Sequence, residues 1–299
     1  ADPASSLLRS YLGKAYFTAR DETAAAKQYA IAKELDPADP TPWFYDAIRL
    51  QLANRPVAAL SSIDRSIELN DNRAPFRSRL LLDQDQATRG ASLAQIYQDL
   101  GFTQLGINEA RRALMLDPGS SSAHRFLADV YQGEPRLEAA RVSELLQSQL
   151  LQPVGMNPVQ PSLGFADLNV IANGGPTHVA FNEFTPLFQE DGWQINGTGV
   201  AGTQNTIGNE LTATALWGRT SVSVGQYYFD TDGFRANDNL QHKIYTVFGQ
   251  VQAADNLSLQ AEYRRRETNQ GDRTLNFDPD NFRRNFDESI DQDVLRVGG

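Results

Sequence analysis

Glu34-Leu35-Asp36-Pro37 recurs in altered form as Glu68-Leu69-Asn70-Asp71 and again as Met115-Leu116-Asp117-Pro118. The step from Pro37 to Asp71 is 34 residues, and the step from Asp71 to Pro118 is 47, the same period with 13 residues inserted. A fixed period of about 20 to 50 residues marks a stacked repeat, each unit being too small to bury its own apolar face. The surrounding chain is rich in Ala, Leu, Gln, Arg and Glu, which favour helix. Each period is therefore expected to hold a pair of helices, with Asp-Pro ending the second and turning the chain into the next unit.

Residues inside the frame repeat as well. The first copy carries Leu12, Gly13, Tyr16, Ala25, Tyr29, Ala32 and Pro37, and the second Trp43, Ala47, Leu50, Ala59 and Ile63. The third has Leu93, Ala94, Tyr97, Ala110, Ala113 and Pro118, and a degenerate fourth, interrupted by Pro135, has Leu127, Ala128, Tyr131 and Ala140. This pattern resembles the tetratricopeptide repeat, over about residues 6–153. The inserted stretch near 74–86, beginning Ala74-Pro75-Phe76-Arg77, departs from the family and is expected to distort the stack. The resemblance implies a concave surface, lined by the first helix of each pair, that holds peptide segments. Carried over residue by residue, the lining would include Lys14, Phe17, Phe44, Gln51, Gln95, Gln98 and Arg125. Mixed polar and aromatic groups suit an extended peptide or a partner loop. A glycan would also fit, through stacking and amide hydrogen bonds. The plainer alternative is that several of these residues only cover neighbouring helices.

Composition changes near residue 153. Gln152-Pro153-Val154-Gly155-Met156-Asn157-Pro158-Val159-Gln160-Pro161 reads as an extended linker. Beyond it Gly, Asn, Thr, Val and aromatics favour strands and turns. Leu257 to Arg264 alternates apolar and polar, the pattern of a half-buried strand. Thr220–Tyr228, Glu210–Trp217 and Lys243–Val251 behave alike, with Trp193–Gly199 opening the series and Ile290–Val297 beginning a sixth strand. Tight turns at Gly218-Arg219 and Ala254-Asp255-Asn256 alternate with long loops at Asp230–Gln241 and Asn269–Ser289 and a medium one near Gln204–Gly208. Outer-membrane barrels alternate in this way, with short periplasmic turns and long external loops. Leu211, Ala213, Ala215, Trp217, Leu257, Leu259, Ala261 and Tyr263 are expected on the outward face. Thr212, Thr214, Ser258, Gln260, Glu262 and Arg264 fall on the other, a polar face suited to a watery lumen. A soluble antiparallel sheet with one wet face has the same alternation. Five or six strands are fewer than the roughly eight of the smallest barrels, and the chain ends at Val297-Gly298-Gly299 without an aromatic strand. The expectation is the front part of a longer barrel.

Composition excludes much else. With 37 acidic and 27 basic residues the net charge is −10, which argues against a nucleic-acid binder. No cysteine is present, so disulfides, cysteine-ligated zinc, iron–sulfur clusters and cysteine nucleophiles fall together. No apolar run approaches the ~18–20 residues of a membrane-spanning helix. Ala-Asp-Pro-Ala-Ser-Ser at the start reads as a processed or cloning-derived end rather than a signal peptide. His124, His178 and His242 show no paired-ligand spacing, and His124 falls at a helix-packing position. No nucleophile elbow, P-loop or dinucleotide fingerprint appears, and Asn173-Gly174-Gly175-Pro176 reads as a turn. Asp278-Pro279-Asp280-Asn281 with Asp287 and Glu288 lacks EF-hand spacing and reads as a solvated external loop. Arg264-Arg265-Arg266 reads as a solvated strand end. Neither a catalytic group, a cofactor site nor a metal site is expected.

The whole is expected to be an α + β multidomain chain: an all-α tetratricopeptide solenoid over 1–153, a Pro-rich linker, plug or docking segment over 154–191, and antiparallel strands over 192–299. The combination is similar to envelope proteins that join a periplasmic repeat scaffold to an outer-membrane β-barrel, as in exopolysaccharide-export porins. That similarity implies a non-enzymatic scaffold with a protein or peptide partner at the groove, outer-membrane lipid around the barrel, and exported polysaccharide or protein as cargo. Self-association through the open ends of the solenoid is a further expectation. The alternative is a soluble envelope adaptor whose sheet is a second binding module without a pore.

Overall fold

A computed structural model describes residues 4–76, 78–132, 135–154, 188, 190–274 and 280–299. The chain divides into two compact units, one containing the helices up to Leu151 and one containing the sheet. The expected linker beyond Val154, the glycine-rich turn at 173–176, His178 and most of the 165–191 segment lie outside the described residues.

Eight α-helices are described: α1 (Ser6–Thr18), α2 (Glu22–Leu35), α3 (Thr41–Leu52), α4 (Pro56–Glu68), α5 (Arg79–Asp99), α6 (Thr103–Leu116), α7 (Ser121–Tyr131) and α8 (Glu138–Leu150). They pack as four consecutive pairs, and α1, α3, α5 and α7 neighbour one another as one layer. This is the tetratricopeptide-like arrangement expected from the period. Starts are set by caps: Ser5 accepts the Leu8 N–H at 3.4 Å, Asp21 the Ala24 N–H at 2.9 Å and Ser120 the Ala123 N–H at 3.4 Å. Stops are set by Asp-Pro. Asp36 and Asp117 are extended, with φ of −144° and −137°, because the following proline disfavours helix there. Each then accepts an N–H two residues on, Ala38 and Gly119, at 3.0 Å.

The second copy ends in Asn70-Asp71, without proline, and runs into a 3₁₀ turn (Asn70–Phe76). The inserted residues form that turn and lengthen α5 to 21 residues, so the stack absorbs them at one junction. There the buried Arg89 donates to Ser66 Oγ at 2.8 Å and Asn70 Oδ1 at 2.7 Å, joining α5 to the end of α4. The principal core gathers Tyr29, Phe44, Ile48, Ile63, Leu93 and Ile96. Small residues allow the close approaches. A Cβ on Gly13 would stand 2.5 Å from the Tyr29 ring, and one on Gly106 would stand 2.8 Å from both Ala94 O and the Phe126 ring.

Strands β1 (Gly192–Ala201), β2 (Ile207–Trp217), β3 (Thr220–Thr231), β4 (Leu240–Ala254), β5 (Leu257–Gln270) and β6 (Glu288–Gly298) form an antiparallel meander in sequence order. The sheet is not closed into a barrel: among the described residues β1 and β6 are its edges. Two-residue turns join β2 to β3 and β4 to β5, the first opened by Gly218 at φ +54°. The longer connections 202–206, 232–239 and 271–287 all fall at the other end.

Strands β4 and β5 run to 15 and 14 residues, beyond the Lys243–Val251 and Leu257–Arg264 stretches read from the alternation. Arg264-Arg265-Arg266 is therefore mid-strand rather than a solvated end. Arg264 and Arg266 are buried, while Arg265 faces outward beside Glu267 Oε1 at 2.8 Å. Seven consecutive polar residues, Arg264 to Gln270, hide an alternation that the backbone pairing maintains. The polar face is also shut off from water rather than open to it, with Glu262 at 1% and Arg296 at 3% exposure. Several of its groups pair with one another: Arg296 donates to Glu262 at 2.9 Å and Gln260 at 3.0 Å, and Thr214 to Ser223 at 3.1 Å, while Thr246 Oγ1 and Gln260 Nε2 have no hydrogen-bond partner among the described residues. The register aligns Gln194, Thr214, Ser223, Phe248, Glu262 and Arg296 as one row across all six strands.

The outer face carries the large apolar groups. One row reads Ile195, Ala213, Val224, Val247, Tyr263, Leu295, and the row nearer the tight turns reads Trp193, Ala215, Val222, Gly249, Ala261, Val297. Trp217, Val251 and Leu259 lie beyond that row, and Leu211 and Tyr245 on the loop side. Next comes a polar row: Asn209, Tyr228, Lys243, Glu267 and Asp291. Exposure of Trp193 at 73% and Leu295 at 74% shows how fully this band faces outward.

Candidate functional site

A pocket opens in the layer of first helices, between α1, α3 and α5, lined by Tyr11, Phe44, Tyr45, Asp85, Thr88 and Arg89 with Thr41 and Arg73 at its rim. Its wall is a run of rings. Tyr11 and Tyr45 stand 6.2 Å apart with planes inclined at 55°, and Phe44 and Tyr45 stand 5.6 Å apart. Cations rest on that wall: Lys14 Nζ is 5.7 Å from the Tyr45 centroid and Arg89 Cζ 5.6 Å from that of Phe44. Burial, with Tyr11 adjoining, pushes the Tyr45 phenol up to about 12, so it is a hydrogen-bond donor at neutral pH. Burial also lowers the Lys14 ammonium from its ordinary value. The pocket brings together three rings, two of them phenols, with the Asp85 carboxylate and the Arg73 and Arg89 guanidinium groups, a lining that is both aromatic and polar.

The seven residues inferred from the repeat frame fall into separate places. Phe44 lines this pocket and Lys14 lies over the Tyr45 ring, while Phe17 is half-buried against the core. Gln51 and Gln95 meet instead at Asp99, where their amides donate to Oδ2 at 2.7 Å and Oδ1 at 3.4 Å. Burial pushes the Asp99 carboxyl up to about 6, against the pull of those two bonds. Gln98 lies one turn from Gln95, and its Oε1 is buried without a hydrogen-bond donor among the described residues. Arg125 is buried on α7, with Nε held by both Asp129 oxygens at 3.0 and 2.9 Å.

Tyr11, Tyr45, Arg73, Asp85 and Arg89 were not legible as lining. The tyrosines fit a core pattern, and the last three come from the inserted stretch and the long helix after it. His124 is structural: Nδ1 lies 2.5 Å from Glu144 and Nε2 2.9 Å from Pro118 O, so two acceptors hold the ring between α7 and α8. Among the described residues no three His, Asp or Glu gather as metal ligands, and no helix is long and apolar enough to cross a membrane.

No family model matches this sequence, and no curated protein matches it. Among solved structures it is similar to MamA, at 18% identity over 50% of this chain and 80% of that one, with a TM-score of 0.38. It is similar to YrrB, described as a TPR protein with an unusual peptide-binding site, at 12% identity over 50% and 71%, with a TM-score of 0.36. A third similarity is to the N-terminal domain of stress-induced protein-1 from C. elegans, at 16% identity over 42% of this chain and 96% of that one, with a TM-score of 0.35.

Proposed function

We propose that the protein is a non-enzymatic scaffold of the bacterial cell envelope. Its helical unit holds a protein or peptide partner in the periplasm, and its sheet forms part of an outer-membrane β-barrel completed by strands beyond these six. The observation that carries this reading is the inversion of the sheet. Polar groups are buried on one face, several of them paired with one another, while the other presents an apolar band edged by Trp193 and Trp217 towards the tight turns and by Tyr245 and Tyr263 towards the loops. In water the favourable arrangement is the reverse. Four rows at about 6.8 Å per residue pair give a band of roughly 20 Å along the strands, near the ~25 Å of membrane barrels. The chain enters β1 at the end of the sheet that holds the tight turns, with Asp191 beside Gly218, and in outer-membrane barrels the short turns are the periplasmic ones. Export of a polysaccharide or protein through the completed barrel, with the repeats recruiting cargo or a partner subunit, is the role that fits both units.

Extraction of the native protein from cell envelopes tests this. Recovery from the outer-membrane fraction only with detergent, and slower gel migration after boiling, is expected. Val247→Arg, at the middle of the band, should cost about 2–4 kcal/mol of folding in lipid. Recovery in plain buffer, with Val247→Arg harmless, overturns the reading and leaves a soluble two-unit adaptor.

A further inference from the structure

The two long loops that follow β3 and β5 are locked together. Asn237, itself at φ +55°, donates from Nδ2 to Arg283 O at 2.7 Å and Phe286 O at 2.8 Å. Asp272 N–H donates to Asn237 O at 2.7 Å, and the Asp272 carboxylate accepts the N–H groups of Arg283 at 2.8 Å and Thr274 at 3.0 Å. Arg235 closes the network, donating from Nη2 to Asp272 O at 2.8 Å and Thr274 O at 2.6 Å. The described residues of these loops are thus held in place by one another, so binding to them costs little further chain entropy.

What this frame displays is a ladder of alternating rings and guanidinium groups. Arg235 lies between Phe234 at 5.4 Å and Phe282 at 5.2 Å, and Arg284 continues the ladder 5.8 Å beyond Phe282. Beside it Arg283 rests 6.0 Å from Phe286. Arg283 and Arg284 are exposed, and neither guanidinium meets a carboxylate among the described residues. Phe234 is 62% exposed. The neighbouring acids are largely committed elsewhere: Asp272 to the amides above, Asp238 to the Phe234 N–H at 3.1 Å and to Arg273, Asp232 to Asn205. Asp280 and Asp287 flank the arginine pair in sequence.

The geometry points to a binding site for an acidic glycan at the long-loop end of the sheet. Arg283 and Arg284 take the carboxylate or phosphate of the sugar chain, and the exposed Phe234 ring carries the apolar face of a sugar unit. A guanidinium fork matches a planar carboxylate in two parallel bonds, which is why arginine suits this task better than lysine. A single-stranded nucleic acid would also use rings and arginines, but it needs a continuous cationic track. Two free arginines flanked by acids, on a chain of net charge −10, do not supply one. The site stands on the loops alone and does not depend on the membrane reading.

The test is titration of the full chain with polygalacturonate, with dextran and a poly-dT oligonucleotide as comparison polymers, at several salt concentrations. Binding to polygalacturonate that weakens with salt, and no binding to dextran, is expected. The Arg283→Ala/Arg284→Ala pair should weaken it about ten-fold or more and flatten the salt dependence. Phe234→Ala should weaken it several-fold and leave the salt dependence unchanged. The double Lys variant should keep the salt dependence while recovering only part of the affinity. Absence of binding at low salt, equal binding by the double Ala variant, equal binding to dextran, or tighter binding to poly-dT would each overturn the assignment.

Discussion

Replacing Asp99 by Asn should make the helical unit more stable at pH 7.5 and less stable at pH 4. In the folded protein burial raises this carboxyl to about 6 from an ordinary 3.8, even though Gln51 and Gln95 both donate to it. The folded chain therefore holds a proton that the unfolded chain has released between those two values. The folding stability this group contributes is fully present below pH 3.8 and is lost as pH rises through 6. About two pH units correspond to ~3 kcal/mol on the usual conversion of 1.36 kcal/mol per unit. Asn removes the ionisation and keeps one acceptor oxygen, losing one of the two glutamine bonds at a cost of about 1 kcal/mol at every pH. The difference should thus cross sign, from roughly 2 kcal/mol in favour of Asn at pH 7.5 to about 1 kcal/mol against it at pH 4. Urea unfolding followed at the helical circular-dichroism band, wild type and variant in parallel, measures it. A difference that stays constant across that range would show that Asp99 titrates normally and that its burial does not matter.

Gly106→Ala gains up to about 1 kcal/mol in helix propensity. The added Cβ would stand 2.8 Å from both Ala94 O and the Phe126 ring, so a net loss of about 1–3 kcal/mol is expected. Thermal unfolding of the helical signal reads it, and an unchanged midpoint would mean that α5, α6 and α7 can move apart freely. Glu262→Gln strands the Arg296 guanidinium, 2% exposed, on the buried face and should cost about 3–5 kcal/mol. Removing Arg296 as well, as Glu262→Gln/Arg296→Met, should recover most of that loss in the same denaturation assay. A double variant as unstable as the single would show that Arg296 is held by its other contacts.

The period of the first half was legible because it rests on chemistry that leaves a mark in the sequence. Asp36-Pro37 and Asp117-Pro118 stop helices by sterics, and Gly13 stands where an added Cβ would meet the Tyr29 ring. Strand positions were legible for the same reason, since alternation is a property of the extended backbone. Three things were hidden. The end of the second unit has no proline, so the extension of α5 back to Arg79 was not visible. In β5, polar residues on both faces concealed the alternation from Arg264 onward. The frame named Phe44 for the pocket but missed Tyr11 and Tyr45, which fit a core pattern, and Asp85, which comes from the inserted stretch. Gln51 and Gln95 were chosen for their place on the first helices, and their joint engagement with Asp99 depends on how α3 and α5 pack.

The inverted sheet has a consequence for how this chain matures. Collapse in water gathers apolar side chains inward, and for strands β1 to β6 that impulse selects the wrong face. The helical repeats meet no such conflict, since their contacts are local and their core is apolar. Synthesis would then yield a chain half finished: a folded solenoid trailing strands that need a keeper against mispairing until they reach a medium that rewards their outer surface. Within the membrane reading proposed above, the solenoid would fold before the sheet does.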